Sequence, residues 1–144
     1  MRAALELAAA EPGTLTSERI AEAQQIPASF LVNVLGDLRR AGLVRSERGA
    51  AGGYRLARPG NEVSVADVIR AVQGNLADVH GERPEQLHYD GPAERLRDVW
   101  VAARASYRAV LEQVTLAEVA GDRLPESVRV QLKRRGAWES WAAF

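Results

Sequence analysis

Arg39, Arg40, Arg45, Arg48, Arg55 and Arg58 crowd the stretch from Pro27 to Gly60, where Asp37 and Glu47 are the only acids. A chain of zero net charge therefore carries +4 over this segment. A guanidinium is always charged, and its planar fork matches the oxygens of a phosphate. Ser29 and Asn33 lie just upstream. Short polar side chains of this kind can reach the edges of bases, and an asparagine amide can pair bidentately with adenine. Arg48 stands at the base of the run Gly49-Ala50-Ala51-Gly52-Gly53, and Tyr54 stands where the chain leaves it. Arginines that grip phosphates, two polar groups that address bases and a loop almost bare of side chains are together the chemistry of double-stranded DNA recognition.

A second constellation is acidic. Between Gly74 and Asp98, six acids face three arginines, giving −3, and His80 and His88 lie among them. The chain has no cysteine. Disulfides, thiolate metal sites and cysteine redox chemistry are excluded, and two histidines with scattered carboxylates are a poor ligand set for a soft metal or an iron–sulfur cluster. His80 and His88, with Glu82, Glu85 and Asp90, are weak candidates for a harder metal, and a solvated acidic loop is the expected reading. No cofactor is expected. Nor is an enzyme: there is no cysteine nucleophile, no Gly-x-Ser-x-Gly elbow and no phosphate-binding Walker loop, and the glycine run lacks the strand-to-helix context of dinucleotide binding.

The elements that must hold these residues follow from periodicity and punctuation. With 47% hydrophobic and 26% charged residues the 144-residue chain has ordinary globular composition and can bury one modest core. No stretch approaches the ~20 apolar residues of a membrane span. Arg2, Glu6, Glu11 and Pro12 interrupt the alanine-rich start, so a cytoplasmic protein is expected. A first helix over residues 2–10 stops at Pro12-Gly13. Thr16 is a good N-cap for a second, SERIAEAQQ, with Ile20 and Ala21 facing inward. Thr16 and the start of that helix are a candidate phosphate site.

Pro27 is suited to open a third helix, ASFLVNVLGDLRRAG, whose Phe30, Leu31, Val34, Leu35 and Leu38 form an apolar stripe. Ser29, Asn33, Asp37 and Arg40 occupy its other face, and Gly42 caps its end. Helices two and three form a helix-turn-helix. The runs Leu43–Arg48 and Tyr54–Ala57 are the arms of a β-hairpin with the glycines in its loop. Ser64 and Asp67 make a capping-box-like start to a helix that ends at Gly74, with Val65, Val68, Ile69 and Val72 on one face. Residues 75–91 have no clean period and are expected to be a loop.

From Pro92 the longest helix is expected. Leu96, Trp100, Ala103, Tyr107, Val110 and Val114 recur at spacings of three and four, close to a coiled-coil seam that Val99 and Leu111 widen. About 22 residues at ~1.5 Å each would extend roughly 33 Å, more than a small core can cover, so a second copy of the chain is the expected partner. Thr115 can cap one more short turn. The tail is basic at Lys133-Arg134-Arg135, then aromatic at Trp138, Trp141 and Phe144. The expected architecture is mostly α with a small β-hairpin: a winged helix-turn-helix over residues 1–74 with its following helix, a loop over 75–91, a dimerisation helix over 92–120 and a C-terminal tail over 121–144.

From Ile26 to Pro59 the run IPASFLVNVLGDLRRAGLVRSERGAAGGYRLARP resembles the Rrf-two family of bacterial winged-helix regulators, the group that contains IscR, NsrR and CymR. The resemblance extends from about Leu5 to Glu118. Its most specific parts are LRRAGLV, SERGAAGGYRLARP and VSVADVIRAVQG, with TLAEV fitting the end of the family's dimer helix. It implies a homodimer on a two-fold-related operator in double-stranded DNA, with Ser29, Phe30, Asn33 and Arg48 at DNA-contacting positions. Val32 stands where some members carry an acidic, sequence-reading residue, so operator preference does not carry over. Many members also hold an iron–sulfur cluster on three cysteines in the segment matching residues 75–91, and here there are none.

The combined expectation is a sequence-specific DNA-binding transcriptional regulator, a homodimeric repressor without an iron–sulfur cluster. Arg48 would enter the minor groove, and Arg39, Arg40, Arg45 and Arg55 would contact phosphates. Its effector, a small molecule or a protein, is not specified by the sequence. The alternative is a winged-helix protein-interaction module, which zero net charge would suit.

Overall fold

In the computed structural model, which describes residues 1–49 and 52–139, the chain begins with α1 (Arg2–Ala9), α2 (Ser17–Gln24) and α3 (Ala28–Arg40). The Thr16 side chain accepts a hydrogen bond from the Arg19 N–H at 3.3 Å and so caps α2, which ends at Gln25 in the left-handed conformation. Pro27 is the N-cap of α3 rather than its first helical residue. Leu31, Leu35 and Leu38 are buried, and Val34 is half-buried against them. Phe30, expected in the same stripe, is instead 60% exposed. It precedes Leu31 by one residue, about 100° around the helix, and so falls off the face that the 4-then-3 spacing of the three leucines defines.

The hairpin pairs β1 (Val44–Glu47) with β2 (Gly53–Leu56) in antiparallel register, Val44 opposite Leu56 and Glu47 opposite Gly53. Period-two alternation turns Val44 and Leu56 into the core and leaves Arg45, Glu47 and Arg55 on the outer face. Leu15 adds a short third rung by bridging to Tyr54. The glycines do more than turn the chain. A Cβ on Gly53 would lie 2.5 Å from the Leu15 carbonyl oxygen, so only glycine lets the wing close onto this rung. Ala50 and Ala51, at the tip of the loop, lie outside the described residues.

α4 (Val65–Gln73) starts with a complete capping box: Ser64 Oγ accepts from Asp67 N–H at 3.1 Å, and Asp67 accepts from Ser64 N–H at 3.0 Å. Its buried residues are Ala66 and Val68, while Val72 stays exposed. The segment that follows is irregular, with short 3-10 turns at Pro84–Gln86 and Gly91–Ala93. Leu76 and Pro84 anchor it.

α5 (Leu96–Leu111) has 16 residues, about 24 Å, and is shorter than the periodicity suggests. At its start Pro92 lies in a 3-10 turn, and beyond Leu111 the chain folds back onto the core. There Val65 N–H donates to the Val114 carbonyl at 2.8 Å, and Leu116 N–H donates to the Val63 carbonyl at 2.9 Å. Val114 is consequently outside the helix and only 6% exposed, which removes it from the expected dimer seam. α6 (Leu116–Ala120), opened by a Thr115–Glu118 capping box, packs on α1 and buries Leu116 completely. α1, α2, α3, the hairpin, α4 and α6 thus share one core, and α5 stands out from it.

The tail forms α7 (Glu126–Leu132), for which no helix was expected. Trp138 is 80% exposed and donates its indole N–H to the Leu132 carbonyl at 3.0 Å. Trp141 and Phe144 lie outside the described residues. Among the described residues, no helix is long and apolar enough to cross a membrane.

Candidate nucleic-acid interface

α3 lies with its three leucines inward, which turns Ser29, Phe30, Val32, Asn33, Arg39 and Arg40 to solvent. Between its outer face and the wing runs an open concavity of about 490 Å³, lined by Val32, Asn33, Arg39, Arg40 and Tyr54 among others. Ser29 and Asn33 make no hydrogen bond through their side chains to any described residue, so both are available to an external partner. Phe30 and Val32 add two exposed apolar side chains to the same helix. Such groups suit contact with thymine methyls.

The six arginines of the basic segment are not equivalent. Asp37 pairs with Arg40 one turn along α3, and Glu47 pairs with Arg55 across the hairpin, so both acids are engaged. Arg39, Arg45, Arg48 and Arg58 have no ion-pair partner among the described residues. Arg45 sits directly opposite Arg55, and both line a recess of about 190 Å³ with Arg58 and the Glu11–Gly13 turn. The structure thus divides the candidate residues into two groups. Asn33, Arg39 and Arg40 share the concavity between α3 and the wing, whereas Arg45 and Arg55 belong to the outer face of the wing. Arg48 follows β1, exposed, towards the loop.

Thr16 lies next to the rung that joins Leu15 to the wing. Its hydroxyl is engaged in the α2 cap. In the first turn of α2, the Glu18 carboxyl is held below its usual range by its own backbone N–H and by the hydroxyls of Thr16 and Ser17. The positive end of that short helix already has an anion.

His80 and His88 do not come together as a metal site. His80 occupies the tight turn bridged by Val79 and Glu82, and His88 is exposed with Asp90 at 3.4 Å. Among the described residues, no three metal-capable side chains are grouped.

Sequence reasoning did not single out Val32 as exposed apolar surface, nor Arg58 as a neighbour of Arg45 and Arg55. The residue type of Arg58 was a signal, but its place beyond the end of β2 gave no register from which to assign a face.

A family model described as "Rrf2: Iron-dependent Transcriptional regulator" matches residues 1–122. This chain belongs to the Rrf2 family. Rv1287 of Mycobacterium tuberculosis (strain ATCC 25618 / H37Rv), provisionally named an HTH-type transcriptional regulator, is 53% identical over 129 residues, covering 89% of this chain and 80% of that protein. The structure of CymR, the global cysteine regulator of B. subtilis, superposes with a TM-score of 0.68 at 32% identity, over 82% of this chain and 87% of that one. IscR of T. potens gives a TM-score of 0.68 at 33% identity, over 88% and 82%.

As a member of the Rrf2 family, the chain is a non-enzymatic, DNA-binding transcriptional regulator. Family membership decides between the two expected readings in favour of the regulator. The absence of cysteine distinguishes this Rrf2 protein from members that hold an iron–sulfur cluster on three cysteines, because no thiolate is available to ligate iron.

Proposed function

We propose that this regulator acts in the cytoplasm as a homodimeric repressor on a two-fold-related operator. The observation that carries the dimer is α5, which contains no buried residue although eleven of its 16 residues are hydrophobic, alanine included: Leu96, Val99, Val101 and Tyr107 are exposed, Val99 by 57%. Leu96, Trp100, Ala103, Tyr107 and Val110 follow one another at four- and three-residue steps along it, and Val99 widens the stripe. A stripe of this kind is stable in water when a second surface covers it. The groove beside it, about 750 Å³, is bounded by Ala103, Tyr107 and Val110 on one side and by Ser127 and Gln131 of α7 on the other. It offers space for the side chains of a second copy.

In the same reading α3 enters the major groove, where Ser29 and Asn33 address bases and Phe30 lies against the apolar side of a base step. Arg48 enters the minor groove, in which narrow A·T-rich segments concentrate negative potential. Arg39, Arg40, Arg45 and Arg55 contact phosphates, the last two from the outer face of the wing. Thr16 is the weakest phosphate contact, since Glu18 would have to yield the helix end. A dimer seated on a promoter obstructs polymerase, which makes repression the simplest outcome.

Sedimentation and a salt titration test the proposal together. A dimer is expected at micromolar concentration. Its operator affinity should fall steeply with salt, with a log–log slope on the order of −7 if Arg39, Arg40, Arg45 and Arg55 of each chain meet phosphates. A monomer, or a complex whose affinity is indifferent to salt, would refute it.

A further inference from the structure

Four arginines far apart in sequence converge where α4, the 75–91 segment and α5 meet. Arg70 of α4, Arg83 of the segment, and Arg104 and Arg108 of α5 line an open cleft of about 220 Å³, with Asn75 and Glu85 between them. The carboxylates here are outnumbered. Glu85 pairs with Arg104, and Glu112, at the end of α5, is shared by Arg70 and Arg108, the latter at 2.8 Å. Arg83 has no ion-pair partner among the described residues. On α4 itself Asp67 lies 3.8 Å from Arg70, so four guanidiniums against three carboxylates leave an excess of +1 around one recess.

That excess is costly without an anion, because like charges gathered round a recess repel one another more strongly than they would in bulk water. The Arg104 side chain is only 15% exposed, so solvent does little to screen it. Arginine forks present paired N–H donors to planar carboxylates and to phosphates. The cleft is open and, at about 220 Å³, has room for a phosphate or a small dicarboxylate.

We propose that this cleft binds a small dianion, a phosphate group or a dicarboxylate, and that its occupancy is the effector input of the regulator. The second clause rests on the operator-binding reading above; the first does not. A bound dianion would draw on the same guanidiniums that now tie α4 and the 75–91 segment to α5 through Glu112 and Glu85. It therefore acts on the joint between the DNA-binding core and the dimer helix.

The test titrates the purified full chain with inorganic phosphate and with succinate, by calorimetry and thermal unfolding, against sodium chloride at matched ionic strength. Saturable binding of one anion per chain is expected, and the preferred probe identifies phosphate or dicarboxylate as the recognised chemistry. Arg83→Met should weaken binding about tenfold, the loss of one charge-assisted contact, with the melting temperature in chloride unchanged. Glu85→Gln, which removes a competing carboxylate, should tighten it severalfold. Equal responses to all three salts, or an Arg83→Met protein that binds as the parent does, would overturn the site. If the anion binds and operator affinity is unaltered, the effector role is lost while the site stands. If the anion binds a chain that neither dimerises nor recognises an operator, the operator-binding reading fails and the site stands.

Discussion

Leu15 and Tyr54 exchange both backbone hydrogen bonds, at 2.9 Å from Leu15 N–H to the Tyr54 carbonyl and 2.7 Å from Tyr54 N–H to the Leu15 carbonyl. The turn ahead of α2 is thereby stitched to the base of the wing, so α2 and the wing are held by one framework. Gly53 makes this approach possible. Gly53→Ala would drive a methyl group against the Leu15 carbonyl and is expected to cost about 1–3 kcal/mol of stability through backbone strain. Denaturant unfolding measures that cost. Operator affinity should fall as well, whereas sedimentation should show an unchanged dimer, because α5 is remote from this rung.

The division among the arginines gives a second expectation. Arg48→Ala should weaken operator binding by ~1–3 kcal/mol and relax preference at the edges of each half-site. Arg39→Ala, by contrast, should weaken operator and random duplex alike and reduce the salt slope by about 2, one contact in each protomer of the dimer. Competition binding with both duplexes at several salt concentrations separates the two effects. Equal losses on both duplexes for both variants would dissolve the distinction.

Placing Val114 in the core changes what mutations around the end of α5 should do. Leu116→Ala removes a completely buried side chain and should destabilise the fold by about 2–5 kcal/mol. Val114→Glu should likewise impair folding, through burial of a charge beside the Val65 strand-like contact. Tyr107→Glu with Val110→Glu should instead yield a folded monomer with much weaker operator binding. Circular dichroism and sedimentation on the same samples distinguish unfolding from dissociation, and a double variant that stays dimeric would move the interface elsewhere.

Two carboxylates give the fold a pH dependence at the acid end. Glu118 is held below the ordinary carboxylate range by the Thr115 backbone N–H and hydroxyl, and Glu112 by hydrogen bonds from Arg108 and Arg70. A carboxylate whose pKa is lower in the folded than in the unfolded chain adds stability above the unfolded value and loses it as pH falls through the folded one. The parent should therefore exceed Glu118→Gln and Glu112→Gln in stability at pH 7, and the differences should shrink as pH drops below the ordinary carboxylate range. Urea unfolding between pH 7 and 3 reads the convergence. A difference that grows towards low pH would contradict it.

Much of the DNA-binding half was legible in the sequence because its determinants are local. Thr16 capping α2, the Ser64–Asp67 box, the leucine face of α3 and the glycines of the wing are each decided by residues a few positions apart. Phe30 was misread because an apolar residue at the margin of a stripe satisfies the periodicity without facing the core. Likewise, the seam from Leu96 to Val114 is continuous in sequence, and nothing within it announces that α5 ends at Leu111.

By itself, then, the sequence determined the order of helices and strands as far as α6, the basic character of the segment from Pro27 to Gly60 and the lack of any thiolate for iron. Tertiary structure alone decided that Val63 and Val65 pair with Leu116 and Val114, that Leu15 braces the wing, and that Arg70, Arg83, Arg104 and Arg108 surround one cleft. The physical reason is range. Caps, turns and amphipathic faces draw their energy from neighbours within about a helical turn, whereas these three arrangements join different elements through residues from 13 to more than 50 positions apart and exist only once the core has brought their backbones together.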